Sequence, residues 1–270
     1  GTISGLGVRN IGSAAMSGRI SSLDAIGMPD GKLAIWVGAA SGGVWKSLDG
    51  GTTFEPVFDG QPVQSIGSVR IDPRDPNTVW AGTGEAWTRN SVSIGDGIYK
   101  TSDGGDTWRN VGLPGSERIA EILIDPRDSR TVYACVTGRL WSDSAERGVY
   151  KTSDGGATWQ QVLKGGNLST GCASLSMEGQ NPDVLYAALW DFRRKGWTFR
   201  SGGDSPTSPS ASALMVTRDG GRTWTEVTPA ANPGFAQKPY GRIAVNIAPS
   251  DPKRVYAFVE STASALYVSS

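Results

Sequence analysis

One loop-sized stretch gathers the side chains that could do chemistry: Thr83-Gly-Glu-Ala-Trp-Thr-Arg-Asn-Ser-Val-Ser-Ile-Gly-Asp-Gly97. It offers Glu85 and Asp96 as a carboxylate pair, Trp87 as an aromatic platform and Arg89 as a cation. Two carboxyl groups about 5 to 9.5 Å apart across an open cleft can cleave a glycosidic bond. An indole adds a large apolar face on which a sugar ring can rest. Two later stretches have a similar make-up: Arg139, Trp141, Asp143 and Glu146, then Trp190, Asp191, Arg193, Arg194 and Trp197. The same residues also have a purely structural reading, in which Glu85 and Arg89 form an ion pair that pins a long loop. That reading is preferred, since structural ion pairs commonly produce such clusters. Glu85 and Asp96 therefore stand as second-rank catalytic candidates. Trp87, Arg89, Arg139, Trp141, Trp190, Arg193 and Trp197 are the candidates for binding a ligand or partner.

Composition removes whole classes of chemistry. The 270-residue chain has no histidine, which excludes His-based acid–base work and His-ligated metal sites. Gly82-Thr-Gly84 lacks the third glycine and the helix of a phosphate loop. No calcium loop is complete, so no metal and no cofactor is expected. Lys+Arg and Asp+Glu are both 26, a balance that argues against a nucleic-acid binder. No run approaches the roughly 20 apolar residues of a membrane helix. Cys135 and Cys172 fall in strands of neighbouring repeats, where two buried free thiols are preferred over a disulfide.

The elements that must hold these loops are visible as a repeat. Ser47-Leu-Asp-Gly-Gly-Thr-Thr-Phe54, Thr101-Ser-Asp-Gly-Gly-Asp-Thr-Trp108, Thr152-Ser-Asp-Gly-Gly-Ala-Thr-Trp159 and Thr217-Arg-Asp-Gly-Gly-Arg-Thr-Trp224 are four copies of one turn. The Asp accepts backbone N–H groups further along, the glycines supply positive φ, and the aromatic anchors the return strand. Asp49, Asp103, Asp154 and Asp219 recur at intervals of 54, 51 and 65 residues, the mark of a repeat fold. Each repeat reads as four short strands, as in Ser65–Ile71, Thr78–Gly82, Gly97–Thr101 and Thr107–Val111. Pro-rich turns such as Asp72-Pro-Arg-Asp-Pro76 join the first two strands. The fold class is all-β: a β-propeller of four-stranded antiparallel blades, in one domain over residues 1–270.

Five blades are readable, four complete. The fifth has strands near Arg242–Ile247, Arg254–Val259 and Ala265–Ser269. Gly7-Val-Arg-Asn-Ile-Gly12 has the pattern of an outermost strand and could close that blade. The other reading makes these the first blades of a larger propeller. Arg193 to Ala213, with its Ser/Pro/Gly-rich centre, reads as a surface loop in preference to a binding lid.

The boxes resemble the Asp-box, or bacterial neuraminidase, repeat of sialidases, xyloglucan-cleaving enzymes, sortilin-type propellers and the photosystem II assembly and stability factor. The whole chain is similar to the N-terminal region of large exported bacterial proteins labelled sortilin-like or glycosyl hydrolase. The segments carrying this include Arg9-Asn-Ile-Gly12, Gly38-Ala-Ala-Ser-Gly-Gly-Val-Trp-Lys46, Ala81-Gly-Thr-Gly-Glu85, Glu146-Arg-Gly-Val-Tyr150 and Leu185-Tyr-Ala-Ala-Leu-Trp190. The resemblance implies that Asp49, Asp103, Asp154 and Asp219 are structural and lie on the blade periphery. It also implies an extracytoplasmic location, periplasmic or secreted. Two functions are carried forward. The first is a non-catalytic scaffold or assembly subunit that binds a protein partner, including one in a membrane-bound complex. The alternative is a carbohydrate-active domain of glycoside hydrolase or sialidase type.

Overall fold

The computed structural model describes residues 19–202 and 209–269. Among them there is no helix. Blade 1 is built from β1 (Ile20–Gly27), β2 (Leu33–Ala39), β3 (Gly43–Ser47) and β4 (Glu55–Pro56). Blade 2 follows with β5 (Ile66–Asp72), β6 (Asp75–Thr83), β7 (Ile98–Thr101) and β8 (Arg109–Asn110). Blade 3 holds β9 (Ile119–Asp125), β10 (Asp128–Val136), β11 (Gly148–Thr152) and β12 (Gln160–Leu163). Blade 4 holds β13 (Thr170–Met177), β14 (Leu185–Arg194), the short β15 (Phe199–Ser201), β16 (Ala213–Thr217) and β17 (Thr225–Glu226). Blade 5 has β18 (Ile243–Ala248), β19 (Asp251–Val259) and β20 (Ala265–Val268). Each sheet is an antiparallel meander in chain order, and the first strands β1, β5, β9, β13 and β18 pack successively against one another. This is the β-propeller expected from the repeat.

Two details differ from the sequence reading. The outermost strands are shorter than expected: β4 and β8 pair through only two residues each. Pro56 removes a ladder donor from β4, and short outer strands leave little open edge. The expected loop from Arg193 is in part a hairpin, since β14 runs on to Arg194 and pairs with Phe199–Ser201. The candidate closing strand Gly7–Gly12 and the centre of the Ser/Pro loop lie outside the described residues.

The Asp boxes are self-contained turns. In the second, the Thr101 hydroxyl donates to Asp103 Oδ1 at 2.6 Å and accepts the Gly105 N–H at 3.0 Å. Asp103 in turn accepts the Thr107 N–H and hydroxyl at 3.0 and 2.5 Å. Ser47, Thr152 and Thr217 repeat this around Asp49, Asp154 and Asp219. All four carboxyls are held well below the usual carboxylate range by these hydrogen bonds. Both glycines of each box sit at positive φ.

The box aromatics then seal one blade against the last. Trp108 stands edge-on to Trp36, with centroids 6.2 Å apart, and donates its indole N–H to the Val57 carbonyl at 2.8 Å. Trp159 does the same against Trp80 and the Val111 carbonyl. Near the axis, first strands lend side-chain acceptors to the bare edge of the next blade. Ser22 and Asp24 take the N–H groups of Val69 and Ile71, Ser68 takes Ile122, Glu121 takes Leu175, and Ser174 and Ser176 take Val245 and Ile247. Each accepted N–H would otherwise be a buried donor without a partner.

Blades 3 and 4 are also joined covalently. Cys135 on β10 and Cys172 on β13 form a disulfide, with Cα atoms 5.1 Å apart. This corrects the expectation of free thiols: both side chains are buried in the same inter-blade core, where sequence places them only in separate repeats.

Strand polarity fixes where function can sit. The turns at Asp72–Asp75 and Asp125–Asp128 and the four Asp boxes share one end of the propeller. The long connections at residues 84–97 and 137–147 and the β14–β15 turn at residues 195–198 share the opposite end with the blade-to-blade links.

Candidate functional site

The long-loop end collects nearly every side chain singled out for chemistry. Its largest feature is the 84–97 connection of blade 2. The base of this loop is pinched shut by backbone contacts. Gly84 donates to the Ser65 carbonyl at 2.7 Å and Gly95 to the Glu117 carbonyl at 2.8 Å. Gly84 has φ +82°, and a Cβ there would lie 1.7 Å from the Glu117 carbonyl oxygen, so only glycine fits.

From that base the loop reaches across to blades 3, 4 and 5. The Asn90 amide donates to the Gly196 carbonyl at 3.1 Å and accepts Arg194 Nε at 2.7 Å. Val92 packs on Leu140, Ala173, Trp190 and Phe192. Trp87 faces the Arg242 guanidinium at 5.0 Å, and the same guanidinium lies 5.0 Å from the Trp190 ring. Arg242 is thus sandwiched between an indole of blade 2 and one of blade 4. Such stacking is available to a planar, weakly hydrated guanidinium.

The carboxylate candidates are engaged elsewhere. Glu85 has no exposed surface, and its partner is Arg19, whose Nε donates to Oε1 at 2.7 Å while Nη2 holds Oε2. The pair expected with Arg89 therefore does not form. Arg89 is exposed, and Arg19, arriving from the start of blade 1, already fills both Glu85 oxygens. Asp96 is half-buried and accepts the Tyr99 hydroxyl at 2.9 Å. The two carboxyls have different partners, Arg19 for Glu85 and Tyr99 for Asp96.

The other loops present more surface. Arg139 pairs with Glu117 at 3.5 Å, and Asp143 pairs with Arg193 across blades 3 and 4. Glu146 accepts the Ser144 hydroxyl at 2.8 Å, which holds its carboxyl below the usual range. Trp190 is buried and donates to Ser201 Oγ at 2.8 Å. Asp191, also buried, accepts Ser169 Oγ, Asn167 Nδ2 and the Ala211 N–H, so it braces the loop bases. Trp87 and Trp141 are half-exposed, and Trp197 is 87% exposed. The Trp190, Phe192 and Phe199 rings stack beneath this rim.

Sequence reasoning missed the arginines that build the site. Arg19, Arg118 and Arg242 each stand just before a first strand, as Arg-Ile in blades 1, 3 and 5. That repeated dipeptide was the available signal. Arg118 and Arg147 are buried, and desolvation lowers both, Arg147 to about 10. Arg147 donates to the carbonyls of Ser169, Arg139 and Ser142 and lies over the Phe192 ring at 4.3 Å. It is an internal brace for the 137–147 loop.

Comparison with known proteins places this geometry in a family. Residues 42–194 match the family model Sortilin-Vps10, described as sortilin, neurotensin receptor 3. The chain belongs to the Sortilin-Vps10 family. It is also similar to the probable oligoxyloglucan-reducing end-specific xyloglucanase of Neosartorya fischeri, at 28% identity over 69% of this chain and 23% of that protein. A xyloglucanase of Hypocrea jecorina is 28% identical over 72% of this chain and 24% of its own length. The chain thus spans about a quarter of the length of these curated relatives. Among solved structures, the Niastella koreensis GH74 enzyme superposes with a TM-score of 0.60 at 19% identity, over 87% of this chain and 34% of that one. At that identity the likeness concerns fold. The expectation of a non-catalytic protein-binding scaffold is overturned by these relatives, which are named as xyloglucanases.

Proposed function

We propose that this chain is a propeller segment of a glycoside-acting protein and that its long-loop end faces the polysaccharide. The observation carrying this is the exposed aromatic rim. Trp87, Trp141 and Trp197 are partly or fully open to solvent at the one end of the propeller where long loops converge. Indole faces exposed at a cost in solvation suit the apolar faces of β-linked sugars. Similarity over 69–72% of the chain to proteins named as xyloglucanases supports xyloglucan as the substrate class.

The chain's own role in this reading is to bind and orient. Trp141 and Trp197 supply stacking surfaces, and Arg193 with Asp143 supplies hydrogen-bonding groups on the rim. Glu85, sealed by Arg19, fixes the loop that carries Trp87. An extracytoplasmic location fits the Cys135–Cys172 disulfide, since such bonds persist in oxidising compartments.

Native electrophoresis through gels containing xyloglucan tests the proposal. Retardation relative to gels with an unrelated charged polysaccharide is the expected result. A folded chain that migrates identically in both would contradict it.

A further inference from the structure

Arg242, the residue before β18, is fixed at its backbone and on both faces of its side chain. Its N–H donates to Glu260 Oε2 at 2.7 Å, and its carbonyl accepts the Glu260 N–H at 2.9 Å. Trp87 and Trp190 cover the guanidinium, each ring centroid 5.0 Å away. Trp190 is held in turn by its bond to Ser201 Oγ and by the rings of Phe192 and Phe199.

The N–H edge of that guanidinium is left over. Among the described residues no hydrogen bond or ion pair engages its nitrogens, and none of them is buried. Glu260 is the neighbouring carboxylate, but its Oε2 already takes the Arg242 backbone N–H and the Ser201 hydroxyl, at 2.7 and 2.5 Å. Burial loosens the guanidinium's hold on its proton, and Glu260 pulls the other way. A planar fork of donors therefore stands open at the long-loop end with its rotamer already chosen.

The surroundings suit a negative charge. The converging loops also carry Arg89, Arg194 and Lys195, none of them in an ion pair among the described residues. Arg194 lies over the Phe199 ring at 5.5 Å, and Phe199 stands edge-on to Trp190. Glu85 and Asp143 are already matched by Arg19 and Arg193. A partly desolvated guanidinium gains from an acceptor on its unfilled donors. Two coplanar oxygens match its fork best.

We infer that Arg242 is a binding residue for a carboxylate carried on a sugar, that is, for a uronic acid residue, with the half-exposed Trp87 as the adjoining apolar wall. The two indoles hold the guanidinium in place, so little side-chain freedom is lost when the carboxylate arrives. This goes beyond the xyloglucan reading, because a neutral glucan offers no carboxylate, and it stands or falls separately.

The probes are methyl glucuronide, methyl glucoside and methyl glucoside 6-sulfate, each titrated into the full chain and followed by nitrogen-15 NMR of arginine Nε–H and indole N–H groups. The Arg242 signal is identified by its loss in Arg242→Lys. Glucuronide should shift the Arg242 signal saturably and bind at least about tenfold more tightly than the glucoside, the scale of one charge-assisted hydrogen bond. Arg242→Lys keeps the charge but loses the fork, and should narrow that preference. Trp87→Leu should weaken glucuronide binding while β-sheet circular dichroism stays unchanged. Glucoside or the sulfate binding as tightly as glucuronide, glucuronide shifts that spare Arg242, or no glucuronide binding to the folded wild type would each overturn the inference. Xyloglucan oligosaccharides in the same assay report on the rim separately: indole shifts with them, and none with glucuronide, would sink this inference and leave the polysaccharide reading standing.

Discussion

Arg19, itself partly exposed, pairs with the fully buried Glu85 between the start of blade 1 and the loop of blade 2, with Nε and Oε1 2.7 Å apart. Removing Arg19 leaves the Glu85 charge without compensation where water cannot reach it. Arg19→Met should therefore destabilise the chain by about 3 kcal/mol, whereas Glu85→Gln, which keeps an acceptor, should cost less. Urea unfolding of both variants checks the order. Equal stabilities for wild type and Arg19→Met would show that the pair holds nothing.

The Asp boxes predict an acid limit. Their carboxyls are depressed by hydrogen bonds from Thr53, Thr101, Thr158 and Thr223 foremost, so the folded chain binds fewer protons than the unfolded one at mildly acid pH. The stability this contributes is complete above the ordinary carboxylate range and is lost as pH falls below about 4. Melting temperature measured from pH 7 to pH 3 should fall steeply at the acid end. Asp103→Asn should flatten part of that slope while lowering stability at neutral pH. A wild-type curve level down to pH 3 would contradict the assignment.

Glu121 has the opposite sign. Desolvation on the innermost strand pushes its carboxyl up, although the Leu175 N–H at 2.5 Å pulls against it. A raised carboxyl contributes stability that is present at low pH and lost as pH rises through the folded value. Glu121→Gln retains an acceptor for Leu175 and should raise the melting temperature at pH 7, with the gain vanishing near pH 4. A loss at neutral pH would mean that charge, and not acceptance, is what Leu175 needs.

The disulfide closes a segment of 37 residues between two blades. On chain-entropy grounds its loss should cost roughly 3 to 4 kcal/mol. The Cys135→Ser, Cys172→Ser double variant should melt several degrees lower without loss of β-sheet circular dichroism. An unchanged melting temperature would show that packing alone joins blades 3 and 4.

These cases also show what a sequence can and cannot reveal here. The boxes were readable because every bond in them spans four residues or fewer: Thr101 to Asp103, Asp103 to Thr107. Blade order followed from their spacing. Partners set by blade packing were not readable. Glu85 looked paired with Arg89, four residues on, but Arg19 reaches it from 66 residues upstream. Cys135 and Cys172 meet because a second strand and a first strand of successive blades share one core. Arg242 gains its role only from two indoles that arrive from different blades.

The proposal that the aromatic rim faces polysaccharide is tested most directly by its own indoles. Trp141→Ala and Trp197→Ala, singly and together, leave the blade cores intact, since both side chains are half or more exposed. Isothermal titration with xyloglucan oligosaccharides should show affinity for the wild type and, with base–ring-like stacking as a guide to scale, a loss of about tenfold or more in the double variant. Wild-type affinity retained in a folded double variant, or no heat with the wild type at all, would contradict the account.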